Sequence, residues 1–469
     1  MCYNTTSEFI YHAKIPMGRE GAASLLLQTK KGKKLTSITA IMVSCALFFE
    51  IILMISPNTA NAAEVPALVV EAQSAILIEA ETGQVLFELN KDELRPPASM
   101  AKLMSEYVIL ETIEEGKLSW TDSVTVSEYA ANTGGSGGLL AKGEVYSVED
   151  LFKNMSIFSG NDATIALAER IAGSEEAFAV MMNDMAREIG LSEGAYFINS
   201  TGLDRSDLEE LGMAPASLPG ETAITAHDAA LIAQRIILDH PDMLEISSTP
   251  EAYLKPNDDR YLMKNWNWML EGWKPYNNDF AKLFAYDGLD GLKTGHTTRA
   301  LYCFTGTAER GELRVISVIM AAPTMNKRFY ETKKLLDYGF DNFEKMIVIQ
   351  PKTQMEQLTK VDIKKGIVKE VGVVTENNAQ FLVKKGTKLE DFVITTVAAD
   401  EEQRVAPIKK GQVLGELTVM LPTTDGSVME QKVNLVASED AEKASWVRLF
   451  FRAIGNFFKS LVGGIKNLF

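Results

Sequence analysis

The sequence predicts a mixed α/β unit, then a small all-β domain, then a terminal amphipathic helix. Three observations predict it. Strand signals stand at both ends of residues 66–345 with helical patterns between them, which is how distant parts of a chain build one sheet layered with helices. After Glu344 the chain turns rich in Val, Ile, Thr and Lys in short alternating runs. From Trp446 onward the apolar residues recur at helical spacing. With 469 residues, 46% hydrophobic and 23% charged, the chain is long enough for two or three domains with sizeable cores.

Taken in order, the chain opens with targeting signals. Lys30, Lys31, Lys33 and Lys34 precede an apolar run from Leu35 to Ile55, and Ala60-Asn61-Ala62 is a small-x-small cleavage site. The expectation is a signal peptide over residues 1–62, cleaved after Ala62, with an uncleaved signal anchor as the alternative and Met17 as an alternative start. The α/β unit, residues 63–345, begins with Ala75–Ile78 and Gln84–Phe87 flanking the turn Glu81-Thr82-Gly83. Helices are expected at 98–114, 148–156, 161–172 and 175–189, the first started by Pro96-Pro97. Strands Ala300–Ala308 and Leu313–Ala322 close the unit.

Residues 346–437 form the β-rich domain. There Ile363-Lys364-Lys365-Gly366, Val383-Lys384-Lys385-Gly386 and Ile408-Lys409-Lys410-Gly411 look like strand ends entering turns. No catalytic set is visible in it. A polar link, 438–445, leads to the last helix. Val447, Phe450, Phe451, Ile454, Phe457, Phe458 and Leu461 share one helical face, Arg448, Arg452, Lys459 and Lys466 the other, and no acid occurs after Trp446. A basic, aromatic-rich helix of this kind lies in a membrane interface and holds to lipid, too interrupted to span. Packing on its own domain is the bland alternative.

Charge and rare residues exclude several functions. Net charge is −16, and without residues 1–63 it is 41 basic against 60 acidic, or −19, so nucleic acid is not an expected partner. The mature chain would keep one cysteine, Cys303, best read as a buried strand residue. Four histidines, no His-Glu-x-x-His and no Cys/His cluster leave no metal site. No cofactor is implied.

Three short strings carry the chemistry: Ser99-Met100-Ala101-Lys102, Ser159-Gly160-Asn161 and Lys293-Thr294-Gly295. Each alone is weak, since a Ser-x-x-Lys turns up about once in a chain of this length by chance. Together, in this order, they are specific. Three residues apart on a helix, Lys102 stands over Ser99 and can serve as its general base once burial or nearby positive charge makes it neutral. Ser159 is a candidate proton relay to the leaving amine, and Asn161 a holder of Lys102 and substrate. Their plain alternative is helix capping. Lys293 and Thr294 can meet a substrate carboxylate, while Gly295 on a strand edge admits a substrate backbone. The backbone N–H groups of Ser99 and His296 are candidate oxyanion donors.

On these motifs the chain resembles the serine D-alanyl-D-alanine carboxypeptidases, the low-molecular-mass penicillin-binding proteins. The resemblance spans nearly the whole chain and extends to Asn199-Ser200-Thr201-Gly202-Leu203 and Asn265-Trp266-Asn267-Trp268, to which no role is assigned. It implies a penicillin-binding/β-lactamase-like catalytic domain, a sheet covered by helices plus a helical subdomain. It also implies removal of the terminal D-alanine from peptidoglycan stem pentapeptides through an acyl-Ser99 intermediate, β-lactams as acylating inhibitors, and a place on the outer face of the cytoplasmic membrane. A D,D-endopeptidase uses the same set and stays open. A β-lactamase is less well matched because no Glu-x-x-Leu-Asn lies between Asn161 and Lys293. A non-catalytic wall-binding module would have no reason to keep Ser99, Lys102 and Lys293.

Overall fold

The computed structural model describes residues 67–137, 140–255, 258–273, 283–423 and 426–466. The expected signal peptide lies outside them. Residues 61–469 form one compact unit.

The first sheet takes strands from both ends of the α/β unit. Its elements are β1 (Ser74–Glu79), β2 (Val85–Leu89), β3 (Leu289–Thr297), β4 (Leu301–Arg310) and β5 (Leu313–Ala322), in the order β2-β1-β5-β4-β3, all neighbours antiparallel. Ser74 lies opposite Met320, so the start and end of the unit are stitched together at the sheet centre. β1 and most of β5 are buried on both faces, as a sheet covered on two sides requires.

One face carries the helices α1 (Lys102–Glu114), α2 (Val148–Lys153), α3 (Asn161–Ala172), α4 (Glu175–Glu188) and α5 (Ala226–Asp239). The other carries α6 (Met325–Asn342), whose Phe329, Leu335, Leu336 and Phe340 pack with Phe304 and Val315 of the sheet. Each face has its own apolar core. The sequence pattern predicts one buried face for α1, made by Met100, Leu103, Met104, Tyr107 and Val108. All five are buried, but so is every residue from Lys102 to Leu110, because α1 is surrounded by α5, α4, α3 and the turn Asn154–Phe158. The polar residues of that stretch, Lys102, Ser105 and Glu106, are therefore interior residues.

Two long helices have no counterpart in the sequence reading, α5, started by a Thr225–Asp228 capping box, and α6, capped by the Thr324 hydroxyl, and neither do the short helices Glu128–Ala131, Arg205–Glu210 and Met243–Ser247. The expected helix 148–156 is α2 followed by one π turn, Asn154–Phe158. Such turns concentrate at functional sites. This one delivers Ser159.

Beyond α6, strand β6 (Phe343–Ile349) runs through the expected junction at 345/346 and pairs with β9 (Ala379–Lys384). A second five-stranded sheet contains β7 (Lys360–Asp362), β8 (Glu370–Thr375), β10 (Val393–Ala398), β11 (Val413–Pro422) and β12 (Val428–Ala437), in the order β7-β8-β12-β11-β10. It encloses a third core around Val371, Val373, Leu414, Leu417 and Leu435. The chain then enters α7 (Trp446–Lys466).

Candidate active site

The three sequence motifs meet where α1 starts, beside the free edge of β3. A 3₁₀ turn, Ala98–Ala101, leads into α1. Ala98 sits in the left-handed region (φ 50°), a conformation costing an ordinary residue about 1 kcal/mol or more. Ser99 follows it and is partly exposed, while Pro97, Ala98 and Met100 beside it are buried. The turn thus presents one hydroxyl to solvent.

Lys102 is fully buried, and three contacts define its Nζ. It donates to Asn161 Oδ1 (2.7 Å) and to the Thr201 carbonyl (2.9 Å), and lies 3.1 Å from Ser99 Oγ. The Asn161 amide is fixed in this sense because its Nδ2 donates to Gly134 O at 2.7 Å. Burial, then the positive charge of Lys293, hold Lys102 well below the usual lysine range. A neutral amine has two N–H donors and one lone pair. Two acceptors that cannot donate take the N–H groups, so the lone pair is left for Ser99.

The Thr201 carbonyl belongs to Asn199-Ser200-Thr201-Gly202-Leu203, the segment left without a role in the sequence. Asn199 Oδ1 accepts from Thr201 N (3.0 Å), Thr201 Oγ1 (2.9 Å) and Gly202 N (2.6 Å), a tight Asx-type turn. Glycine is required at 202. Its φ is +79°, and a Cβ would sit 1.9 Å from Ala98 O. The buried Glu175 of α4 anchors the same turn, accepting from Ser200 Oγ (2.7 Å), Ser200 N (3.1 Å) and Tyr129 (3.0 Å). The sequence signal for it was the Asn-x-x-Gly spacing.

Neither Ser159 nor Asn161 is the N-cap of α3. Gly160 is the N-cap of α3 and has no side-chain capping bond, while Ser159 ends the π turn in the left-handed region (φ 64°). Its buried hydroxyl has no hydrogen-bond partner among the described residues. The Trp266 indole donates to Phe158 O (3.1 Å) and Asn265 Nδ2 to Ser247 O and Thr249 O (both 3.0 Å), so the Asn265–Trp268 segment braces this turn.

On β3, Lys293 and Thr294 are buried and His296 is exposed. Gly295 serves a close approach within the chain itself: a Cβ there would meet Pro97 O at 2.5 Å and Met100 N at 3.1 Å. That contact brings the strand edge against the Ser99 turn. The His296 ring stacks on its cross-strand partner Tyr302 (centroids 4.2 Å apart, 8° between planes), with Nδ1 3.0 Å from Leu301 O. Cys303 is buried in β4, its thiol pushed up to about 11 by burial, which disqualifies it as a nucleophile.

Residues 59–324 match the D-alanyl-D-alanine carboxypeptidase family of peptidases. The chain belongs to that family. It is a serine-type hydrolase with a penicillin-binding/β-lactamase-like α/β fold and a C-terminal β-rich part. Residues 343–443 match the C-terminal domain of penicillin-binding protein 5. D-alanyl-D-alanine carboxypeptidase DacF of Bacillus subtilis (strain 168) is 35% identical over 83% of this chain and 90% of its own. DacC of Escherichia coli (strain K12) is 34% identical over 85% and 91%. Penicillin-binding protein 5 from Haemophilus influenzae superposes with a TM-score of 0.61 at 29% identity, covering 81% of this carboxypeptidase-family chain and 100% of the other. A peptidoglycan synthesis regulatory factor (PBP3) from Streptococcus pneumoniae gives 0.64 at 28%, over 80% and 100%.

Proposed function

We propose that this carboxypeptidase removes the terminal D-alanine of peptidoglycan stem pentapeptides, with Ser99 as nucleophile and Lys102 as its base. The observation that carries this reading is the partner set of Lys102 Nζ: two pure acceptors and the Ser99 hydroxyl. Ser99 Oγ attacks the carbonyl carbon between the two D-alanines while its proton passes to Lys102. The backbone N–H groups of Ser99 and His296 hold the oxyanion, and Lys293 with Thr294 holds the substrate carboxylate. Collapse of the adduct breaks the C–N bond. Ser159 relays that proton from Lys102 to the departing amine, leaving an ester on Ser99 and Lys102 neutral again. Water then attacks the ester and returns Ser99 its proton through Lys102, releasing the shortened peptide. β-Lactams enter by the same first step and stay on Ser99.

The reading extends to location. Export through residues 1–62 places the enzyme outside the cell, and α7 lies in the plane of the membrane interface. What supports the second point is the way α7 sits. Its Trp446 and Phe451 are 78% and 66% exposed, and Phe450, Ile454 and Phe458 are exposed too. Among its described side chains Leu449 and Arg452 are half-buried, and Arg452 donates to Gly366 O (3.0 Å) and Ile367 O (3.2 Å) of the β-rich part. A helix packing on its own domain would bury the aromatic face instead. Among the described residues no helix is long and apolar enough to cross a membrane.

Mass-spectrometric detection of free D-alanine from a peptide ending in D-Ala-D-Ala tests the activity, with Ser99→Ala alongside. Ser99-dependent release supports it. Penicillin labelling of Ser99 without release points to cross-linked substrate instead. Co-sedimentation with anionic vesicles, lost in Phe450→Ser/Phe451→Ser, tests the anchor.

A further inference from the structure

Glu106 stands on α1 four residues after Lys102 and seven after Ser99, so the three side chains form one column running from the site into the interior. It is completely buried, and its polar neighbour, the Ser156 hydroxyl, makes no hydrogen bond of good geometry to either carboxylate oxygen. Such a group costs stability unless something charged faces it. Lys293 is the opposite charge acting most strongly on it, with no ion pair of 4 Å or less between the two: it lies two residues from Gly295 on β3, so its side chain leaves the same face of the strand, the face that meets the Ser99 turn. That lysine is itself buried, and among the described residues the hydrogen bond of its Nζ is a long one, 3.4 Å, to the carbonyl of Thr294. The other groups around the pair are Lys102 on the same helix, Ser156 of the π turn facing Glu106, and Arg328 of α6 facing Lys293. Asp162 of α3 and Glu175 of α4 face Lys102. Two buried lysines therefore share a small volume, and the proposed reaction needs them in opposite states, an amine at 102 and a cation at 293.

We propose that Glu106 is a positioning residue, the buried counter-ion that keeps Lys293 an ammonium for the substrate carboxylate while Lys102 beside it is a free amine. The proposal rests on the assignment of Lys293 to that carboxylate. Burial and Arg328 push Lys293 below the usual lysine range, and Glu106 is what pulls it back up. Burial in turn raises Glu106, and Lys293 is the strongest influence lowering it. The sign follows. Without the anion, Lys293 loses its proton at lower pH, so carboxylate binding fails earlier as pH rises. Glu106 also faces Lys102, so the acid limb of kcat moves to lower pH as well, with its plateau unchanged.

The test is a pH series of kcat and KM on the full chain with two peptides, one ending in D-Ala-D-Ala and the same peptide as its C-terminal amide. For Glu106→Gln the expected result is a KM for the acid raised about tenfold near pH 8.5, with plateau kcat within about twofold. KM for the amide stays put, and Glu106→Asp restores the acid. A KM profile identical to the unmodified chain overturns the proposal, and so does an equal loss on acid and amide, which would mark a merely structural residue. If the unmodified chain does not prefer acid to amide, the carboxylate assignment of Lys293 falls, and this proposal with it. Should Glu106→Gln not fold, ¹⁵N NMR of the lysine-labelled native chain decides, with Lys293→Arg used for assignment. An ammonium signal for Lys293 at neutral pH supports the proposal, and an amine signal overturns it.

Discussion

The α/β unit and the β-rich part bury their side chains by different rules. The first buries Lys102, Glu106, Asn154, Asn161, Asp162, Glu175, Lys293, Arg328 and Glu331 among others, whereas Thr375 is the one buried polar side chain past Thr332 among the described residues. Buried charge is a poor way to stabilise a fold, and an apolar core of the same volume serves as well or better. The difference therefore separates a region arranged to shift proton affinities from one arranged to hold its shape.

Substitutions in the two regions should fail in opposite ways. Ser99→Ala should lower D-alanine release by on the order of 10⁴-fold or more with the melting temperature unchanged. Gly202→Ala should cost about a hundredfold in kcat/KM, because relieving the 1.9 Å clash with Ala98 O moves both the Ser99 turn and the Thr201 carbonyl. A gentler probe is pH. As pH falls through the lowered Lys102 range the amine gains a proton and its lone pair is gone, so Ser99 acylation by a β-lactam should drop about tenfold per pH unit. A rate flat across that range would remove Lys102 as the base. In the β-rich part, Leu417→Ala should destabilise by about 2–5 kcal/mol and leave kcat/KM on a soluble pentapeptide unchanged. The smallest effect belongs to Cys303→Ala, about 1 kcal/mol of stability with Ser99 acylation intact. Loss of acylation there would show that this buried thiol serves the site and not the packing alone.

Much of this was legible in the sequence because it is written in side chains. The strands around 75–87 and 300–322, the helices 161–172 and 175–189 (the second observed to end at Glu188), and the three motifs with their order all follow from periodicity and residue type. What escaped has a physical reason. Lys102 is held by the carbonyl of Thr201, and a backbone oxygen leaves no mark at its own position. Glu106 falls in a helix whose every side is covered, so a pattern that assumes one wet face misreads it. Helices α5 and α6 were marked, by Thr225-x-x-Asp228 and by Thr324, but capping signals are short and easily passed over. At Gly295 the sequence suggests room for a visiting backbone, and only the fold shows that the chain's own 97–100 turn also presses on it.

The pairing of β1 with β5 has a consequence for how the enzyme is born. The strand that leads the unit out of the ribosome lies against the one that ends it, Ser74 opposite Met320, and the turn bearing Ser99 packs on β3 and β4 of the sheet this closes. Until residues near 313–322 have been synthesised, the first strand lacks its central neighbour and the nucleophile lacks its floor. Late closure of this kind is slow, since a long loop must be ordered before the contact rewards it. It also means that a chain truncated before these residues carries the serine but no working site, so carboxypeptidase activity arrives only with the finished unit.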